Sequence, residues 1–349
     1  MKRTRCLGSP LRTAARLGAV ALTLWAAAPV HAAPPTVSPP ASPPTPPSVP
    51  AGLTEKLRAR VAEIDRSVDG LLGLALIDLT SGERILWNAD HVFPTASAIK
   101  APILLELLRQ SQQADAGQPG ARLADVYTPR PEDVIPDSPM LAGLRYGTTR
   151  LCNQDLATFM IVVSDNAATN LLIDRVGMAA VNGTLQRMGL SHTRLRRKML
   201  DGGAVRRGDE NTATPRELAL FYERLYKERE RQRQRDKEGD KDRDKGELLD
   251  AAHHKLLWEL LSLPKSGFLS AELPESVQVA HKPGSLDGAR ADAGVVFAPG
   301  RPFVFAGFIS YAQDGRAAER ALAELARRAY EHFARVGEST PHGRRTPPL

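Results

Sequence analysis

The hydrophobic positions of this chain first follow a helical period and then a strand pattern. Apolar residues recur at helical spacing between Leu53 and Ile64, which predicts a first helix. A continuous apolar run follows at 71–79, then a Thr-Ser-Gly turn, then a second apolar run at 84–87. Two apolar runs joined by a short turn are typical of a β-hairpin.

Helical patterns dominate the middle of the chain. Helices are predicted over 97–110, 155–172 with an interruption at 164–166, 179–188, 215–226 and 248–263. Residues 113–150 are rich in Pro, Gly and Asp and are predicted to be mostly loops. Residues 193–214 show no clear period, and a loop of that length inside a compact domain is usually functional.

The last third returns to strands. Strand-like runs at 277–281, 294–297 and 303–311 precede an amphipathic helix at 317–336. Strands at both ends of the chain and helices between them predict an α+β fold. We expect a five-stranded antiparallel sheet flanked by helices (52–95 and 275–336) and an all-helical lobe (96–274), with a ligand cleft between them.

The N-terminal residues predict export. Residues 1–32 combine a basic start, an apolar stretch from Leu17 to Ala28 and a small-x-small cleavage signal, which is typical of a secretory signal peptide. We expect a periplasmic or secreted protein with no stable membrane span after cleavage. An uncleaved N-terminal anchor is the alternative.

The folded domain is predicted to span 52–336, with a linker before it, a charged insert within it and a tail after it. The proline-dominated residues 33–51 predict an extended linker. Residues 227–246 alternate basic and acidic side chains, which favours either a solvated helix extension or a disordered insert. The polar tail, 337–349, is predicted to be disordered.

Composition excludes several function classes. The net charge of +7 comes without a basic stripe interleaved with aromatics, so nucleic-acid binding is not expected. The two cysteines are Cys6 and Cys152, and cleavage would remove the first, so the mature chain would have no intramolecular disulfide. No metal-ligand spacing occurs, and neither a metal nor a cofactor is predicted. We expect a monomer.

Candidate chemistry begins with Ser97 and Lys100, which share one face at the start of an apolar helix. A serine hydroxyl is a weak nucleophile until a base takes its proton, and a desolvated lysine can be that base. The alternative is that Ser97 only caps the helix. Two more motifs follow, Ser164-Asp165-Asn166 and Lys282-Pro283-Gly284.

This ordered set resembles the S-x-x-K, S-D-N and K-T-G elements of the class A β-lactamases and related penicillin-binding serine acyltransferases. The resemblance implies that Ser97 becomes acylated and that Lys100 accepts or relays its proton. Ser164 and Lys282 would carry the proton to the leaving nitrogen, and Asn166 would bind the amide of the substrate. A small β-lactam or peptide-like amide is the implied substrate.

The third motif departs from the family, because Pro283 stands where threonine is usual. The lost hydroxyl normally contacts a substrate carboxylate, and Ser285 or Arg290 could compensate. For Arg290 a surface salt bridge is an equal alternative. The backbone N–H groups of Ser97 and Ser285 would form the oxyanion hole.

A second departure concerns release of the acyl group. The family carries a glutamate in the long loop after Thr-Arg-Leu, which occurs here at 193–195. Counting from Thr193 places Met199 there, and counting back from Thr214 places Lys198 there. The carboxylates left as candidate bases are Asp201, Asp209 and Glu210, or none of them. We therefore expect slow or altered deacylation, with a penicillin-binding peptidase-like enzyme or a non-catalytic cell-wall binding module as alternatives.

Overall fold

The computed structural model describes residues 49–239, 248–340 and 342–345. The predicted signal peptide and nearly all of the predicted linker lie outside the described residues. Within the described ranges, no helix has the length and apolar character that a membrane crossing requires.

The elements follow one another in an order that separates two groups of strands. The strands are β1 (Leu71–Asp78), β2 (Arg84–Trp87), β3 (Phe93–Pro94), β4 (Val126–Tyr127), β5 (Leu151–Cys152), β6 (Thr212–Ala213), β7 (Val279–Leu286), β8 (Ala289–Val296) and β9 (Phe303–Ser310). The helices are α1 (Ala51–Ser67), α2 (Lys100–Asp115), α3 (Pro139–Ala142), α4 (Asn153–Val162), α5 (Asn166–Val176), α6 (Met178–Arg187), α7 (Gly202–Arg206), α8 (Pro215–Glu238), α9 (Ala251–Ser262) and α10 (Gly315–Gly337).

A five-stranded antiparallel sheet joins the two ends of the chain in the order β2-β1-β9-β8-β7. Strand β1 pairs with β9 along its whole length, from Leu71 opposite Ser310 to Asp78 opposite Phe303. The predicted α+β fold with a five-stranded antiparallel sheet is confirmed. Strand β7 has a neighbour on one side only, so one edge of the sheet stays open.

Both faces of the sheet are covered, which explains the nearly continuous apolar runs in β1 and β9. Helices α1 and α10 pack together and form one hydrophobic core with one face. Helix α8 packs on the other face, whose core continues into the helical lobe. Helix α2 contacts α4, α5, α6 and α9, so it is buried nearly all round.

Two predicted helices have different boundaries in the structure. The helix predicted over 97–110 starts as a 3₁₀ turn at Ala96–Ile99 and then continues as α2. The pattern at 155–172 forms two helices, because the chain turns at Ser164 with φ of 57° and α5 starts afresh after Asp165. The side chain of Asp165 caps α5 by accepting from Ala168 N at 2.9 Å.

The charged segment 227–246 is described in part. Its residues up to Glu238 form the last turns of α8, which Gly239 ends in a left-handed conformation with φ of 66°. Residues 240–247 lie outside the described part of the chain. Beyond α10, an isolated bridge joins Ser339 to Arg345. The domain boundaries stay predictions.

A buried ion pair fixes the β1–β2 turn against the start of β9. Asp78 is fully buried and accepts from Arg301 Nε at 2.7 Å and from Thr80 N at 2.8 Å. Because removing one partner leaves a buried charge unpaired, Asp78→Ala should lower the free energy of unfolding by ~3–5 kcal/mol. Urea denaturation measures this change.

The matched control is Glu63→Ala, since Glu63 pairs with Arg60 on the exposed face of α1. That substitution should cost less than ~1 kcal/mol. Similar small losses for Asp78→Ala and Glu63→Ala would contradict the structural role of the buried pair.

Candidate active site

A cavity of about 1050 Å³ lies between the open edge of β7, the Ser97 turn and the helical lobe. Five predicted site residues line it: Ser97, Ser164, Asn166, Lys282 and Ser285. Lys100 lies beneath it and hydrogen-bonds to two of these residues. The structure thus brings together six residues from three separate parts of the sequence.

Ser97 lies in the middle of the 3₁₀ turn that leads into α2. The preceding residue, Ala96, has a φ of 46°, a conformation that costs a non-glycine residue ~1–3 kcal/mol and that clusters at functional sites. Thr95 precedes the 3₁₀ turn, and Ile99 precedes α2. Neither side chain caps the element that follows it. Within the described residues the Ser97 hydroxyl has no hydrogen bond that would mark it as a cap.

Gly284 permits β7 to run directly beside the Ser97 turn. A Cβ atom at this position would lie 2.6 Å from Ser97 N and from Thr95 O, and 2.8 Å from Ala98 N. Side chains do not tolerate such distances to backbone, so only glycine allows this approach. As a result, the backbone of β7 lies against the start of the helix that carries Ser97.

The register of β7 decides which of its backbone groups face the cleft. Leu286 pairs with Ala289, and Phe297 N donates to Gln278 O at 3.0 Å, so even-numbered residues bond to β8. The backbone groups of Pro283 and Ser285 therefore face the open edge. Proline fits because its missing N–H would not join the ladder.

Two backbone donors consequently lie on the same side of the cleft. The N–H of Ser285 points off the edge of β7, and the N–H of Ser97 lies where Gly284 touches the turn. Two convergent N–H groups are what an oxyanion hole requires.

Ser164 joins two buried lysines. Lys100 Nζ donates to Ser164 O at 2.6 Å, to Ser164 Oγ at 3.1 Å and to Asn166 Oδ1 at 2.9 Å. Lys282 Nζ donates to the same Oγ at 3.1 Å and to Pro283 O at 2.8 Å. A continuous hydrogen-bonded path therefore runs from Lys100 through Ser164 to Lys282.

Burial changes the acidity of both lysines. Burial, and then the Lys282 cation, lower the pKa of Lys100 well below its usual value, although Asp165 and Asp137 oppose this change. Burial lowers the pKa of Lys282 to about 7, against an opposing effect of Asp292. A lysine with a lowered pKa is present partly as the neutral amine near neutral pH and can accept a proton.

Asp165 organises the wall opposite β7. Besides capping α5, its carboxylate accepts from Met140 N at 3.0 Å and Leu141 N at 3.2 Å. These bonds hold the loop that contains Asp137 and Ser138 against α5. The middle residue of the second motif is thus structural.

His281 and Asp292 support β7 from behind, and sequence reasoning missed them. Asp292 is fully buried and accepts from His281 Nδ1 at 2.9 Å, Phe268 N at 2.9 Å and Leu269 N at 2.8 Å. These contacts hold the 266–269 loop, which lines the cleft, against β7. No sequence motif could have revealed a contact formed only when two strands pair.

The long loop is held by Asn170 of α5. Asn170 Nδ2 donates to Met199 O at 3.2 Å, and Met199 N donates to Asn170 Oδ1 at 2.7 Å. Met199 itself is buried in the core of the helical lobe. Counting from Thr193 put the family's glutamate at position 199. In this chain that position carries the buried thioether of Met199.

The three carboxylates proposed as replacement bases all have structural partners. Asp201 caps α7 by accepting from its third residue at 2.9 Å. Asp209 pairs with Arg207 at 3.3 Å, and Glu210 pairs with Arg197 at 2.6 Å. None of the three lines the cleft.

Arg290 does not line the cleft either. Its Nε donates to Glu319 Oε1 at 2.8 Å, and its Nη1 donates to Leu286 O at 2.6 Å. Arg290 thus forms a salt bridge, which was the alternative to a substrate contact. Arg320, on α10, does line the cleft and was missed, because its helix is remote from every motif. A substrate contact by Arg290 stays a prediction that its position does not favour.

Among the described residues no group of three His, Cys, Asp or Glu side chains could hold a metal ion. The side chains gathered around the cleft include the hydroxyls of Ser97 and Ser164 and the amines of Lys100 and Lys282.

The comparisons with known proteins agree with this geometry. The model of the β-lactamase enzyme family matches residues 54–333. The chain belongs to this family. β-Lactamase L2 of Stenotrophomonas maltophilia is 30% identical over 281 residues, which cover 75% of this chain and 84% of the relative.

Similar solved structures indicate that the chain is of the class A type. The reconstructed ancestral class A β-lactamase GNCA has a TM-score of 0.65 and 28% identity, covering 79% of this chain and 100% of that one. A mutant of PBP-A, described as an acyl-enzyme complex with penicillin G, has a TM-score of 0.65 and 27% identity, covering 84% and 99%. This β-lactamase-family chain is a hydrolase of the class A kind.

The lowered pKa of Lys282 predicts a pH-dependent stability. Between about pH 7 and about pH 10 the folded Lys282 has lost its proton whereas the unfolded lysine keeps it. The unfolded state then binds more protons, so this lysine makes the free energy of unfolding rise with pH. The protein should therefore gain stability relative to Lys282→Met across this window.

Urea denaturation of both proteins at several pH values across the window measures the difference, which removes the contributions of groups that do not interact with Lys282. Lys100 does interact with it, and because the Lys282 cation lowers the pKa of Lys100, this coupling changes the difference in the same direction. An unchanged difference between the two proteins, or one that falls as the pH rises, would show that Lys282 keeps an ordinary pKa.

Proposed function

We propose that this chain is an exported serine hydrolase that opens β-lactam or related amide or ester bonds through an acyl-Ser97 intermediate, with slow or altered deacylation. The observation that carries the proposal is the hydrogen-bonded path from Lys100 through Ser164 to Lys282 beside Ser97. Export rests on the sequence of residues 1–32 alone.

The positions of these groups support the following acylation step. Neutral Lys100 takes the proton of Ser97, and the freed oxygen attacks the carbonyl carbon of the substrate. The oxyanion then accepts from the N–H groups of Ser97 and Ser285. The Ser164 hydroxyl, which lies 3.1 Å from each lysine Nζ, delivers a proton to the leaving nitrogen, and the lysines restore it.

Cations that line the cleft favour an anionic substrate. Lys282 on β7 and Arg320 on α10 line the cavity, and of the three carboxylates that also line it, two are paired with arginines outside it. Because Arg290 is held by Glu319, we assign to Arg320 the contact with a substrate carboxylate that the threonine replaced by Pro283 would make. A β-lactam carries such a carboxylate beside its strained amide.

For release of the acyl group, we infer that this chain does not have the general base of the family. A thioether cannot accept a proton from water, and Asp201, Asp209 and Glu210 are engaged away from the cleft. A general base typically contributes ~10²–10⁴-fold to such a step, so its loss predicts a long-lived acyl-enzyme.

A penicillin-binding peptidase-like activity is the second candidate. The match to PBP-A favours it, and so does the open edge of β7, which can pair with an extended peptide. A peptide ester or amide would then replace the β-lactam as the natural substrate, while Ser97 would keep its role.

Replacing the nucleophile tests acylation. Mixing the native protein with penicillin G should add the mass of one penicillin to the intact protein, and Ser97→Ala should show no addition because its nucleophile is gone. Mass spectrometry of the unfolded, quenched protein measures both.

Circular dichroism of Ser97→Ala provides the control for folding. Equal adducts on the two proteins would place the acylation at another residue, and no adduct on the native protein would leave a non-catalytic binding module as the better account.

Restoring a carboxylate at Met199 tests deacylation. Met199→Glu should shorten the lifetime of the acyl-enzyme by ~10²-fold or more, because a glutamate there could activate water. The measurement is the loss of the adduct with time after free penicillin is removed.

Met199→Gln is the matched control, since it has the same shape and no basic oxygen. If Met199→Gln releases the adduct as fast as Met199→Glu does, the acceleration comes from loosening of the loop. If neither variant accelerates release, position 199 is not where the missing base acts.

A further inference from the structure

A second cavity, of about 570 Å³, lies in the helical lobe and shares no lining residue with the Ser97 cleft. It opens between the last turns of α2, the end of α6 and the middle of α8. Its volume falls within the range of small-molecule sites. Its walls carry Arg109, Arg187, Arg224 and Arg231 against one carboxylate, that of Glu228.

Two of the charged groups are satisfied by the protein itself. Arg109 makes two bonds to the buried Glu106, from Nε at 2.8 Å and from Nη2 at 2.7 Å. Glu228 accepts from Leu248 N at 2.9 Å. Arg231 likewise has a partner within the protein, so the charge considered for a ligand is that of Arg187 and Arg224.

Arg187 and Arg224 bind only uncharged oxygens. Arg187 Nη2 donates to Thr184 Oγ1 at 2.7 Å, and Arg224 Nη1 donates to the carbonyl of Met188. Both side chains are exposed, and within the described residues neither forms an ion pair. Each guanidinium has five N–H donors, so most of their donors remain available to a ligand.

The position of these arginines at the end of α6 has a simpler partial explanation. Cations near a helix C-terminus are favoured by the helix dipole. The dipole explains the one hydrogen bond that each guanidinium donates to an oxygen near the end of α6. It does not account for guanidinium groups from α2, α6 and α8 meeting around one polar cavity.

We propose that this cavity binds a phosphate-bearing anion, for which pyrophosphate is the simplest probe. Guanidinium forks match the oxygens of phosphate in paired hydrogen bonds. Arg187 and Arg224 both line the cavity next to the end of α6 and can each take one phosphate group. The same chemistry occurs in free polyphosphates and in phosphodiester polymers.

Isothermal titration calorimetry on the full mature chain at constant ionic strength tests the proposal. Pyrophosphate should bind with a one-to-one stoichiometry. The double variant Arg187→Gln/Arg224→Gln should bind it at least ~10-fold more weakly, because it loses two charged partners. Titration with a glycerophosphodiester oligomer then tells which source of phosphate the cavity prefers.

The matched control is Arg60→Gln/Arg233→Gln, which removes the same charge from exposed ion pairs on α1 and α8. Unchanged affinity in this control supports a built site. Equal weakening in both double variants shows general attraction to a basic protein and overturns the proposal, as does absence of pyrophosphate binding to the native chain.

Folding and function are separated by two further measurements. If the double variant is unfolded by circular dichroism, Arg187→Gln alone replaces it, because its one contact is to Thr184. Penicillin acylation of the folded variant should equal that of the native protein. A loss of acylation together with unchanged pyrophosphate affinity would overturn the anion site and leave the proposed function standing.

Discussion

The site depends on a lysine that folding has removed from water. Lys100 is fully buried at the start of the most buried helix of the protein, and its amine is held by Ser164 and Asn166. Burying an ammonium group costs several kcal/mol unless hydrogen bonds compensate, so the group tends towards its neutral form. The same burial that makes the position costly lowers the pKa of Lys100, which its proposed role as a base requires. Lys100 is surrounded by three features of the fold: the turn before α2, the break between α4 and α5, and strand β7.

Local strain around the cleft is consistent with this picture. Ala96 and Ser164 both have left-handed backbone conformations, and both adjoin groups that the chemistry uses. Such conformations persist only where the surrounding structure holds them. Here Gly284 packs against the Ser97 turn, and Asp165 fixes the start of α5. These contacts support the proposed acylation of Ser97. In the long loop, Asn170 holds the backbone of Met199, where we propose that the base for release is missing.

The sequence predicted the sheet well because its signals are local. The strands β1 and β9 and the helix α10 were predicted from the spacing of apolar residues within each segment. The three motifs also located Ser97, Ser164 and Lys282, since their spacing is fixed within each element. The pairing of His281 with Asp292, the bond from Arg290 to Glu319 and the reach of Arg320 depend on packing between distant segments. No local pattern could have predicted them.

The most direct test of the central account is a rapid-mixing experiment with a chromogenic cephalosporin in excess over the protein. If Ser97 is acylated quickly and released slowly, ring opening begins with a burst equal to one equivalent of protein. A much slower phase, limited by release from Ser97, then follows. Fast linear turnover without a burst would contradict slow deacylation. No ring opening at all would contradict acylation of Ser97.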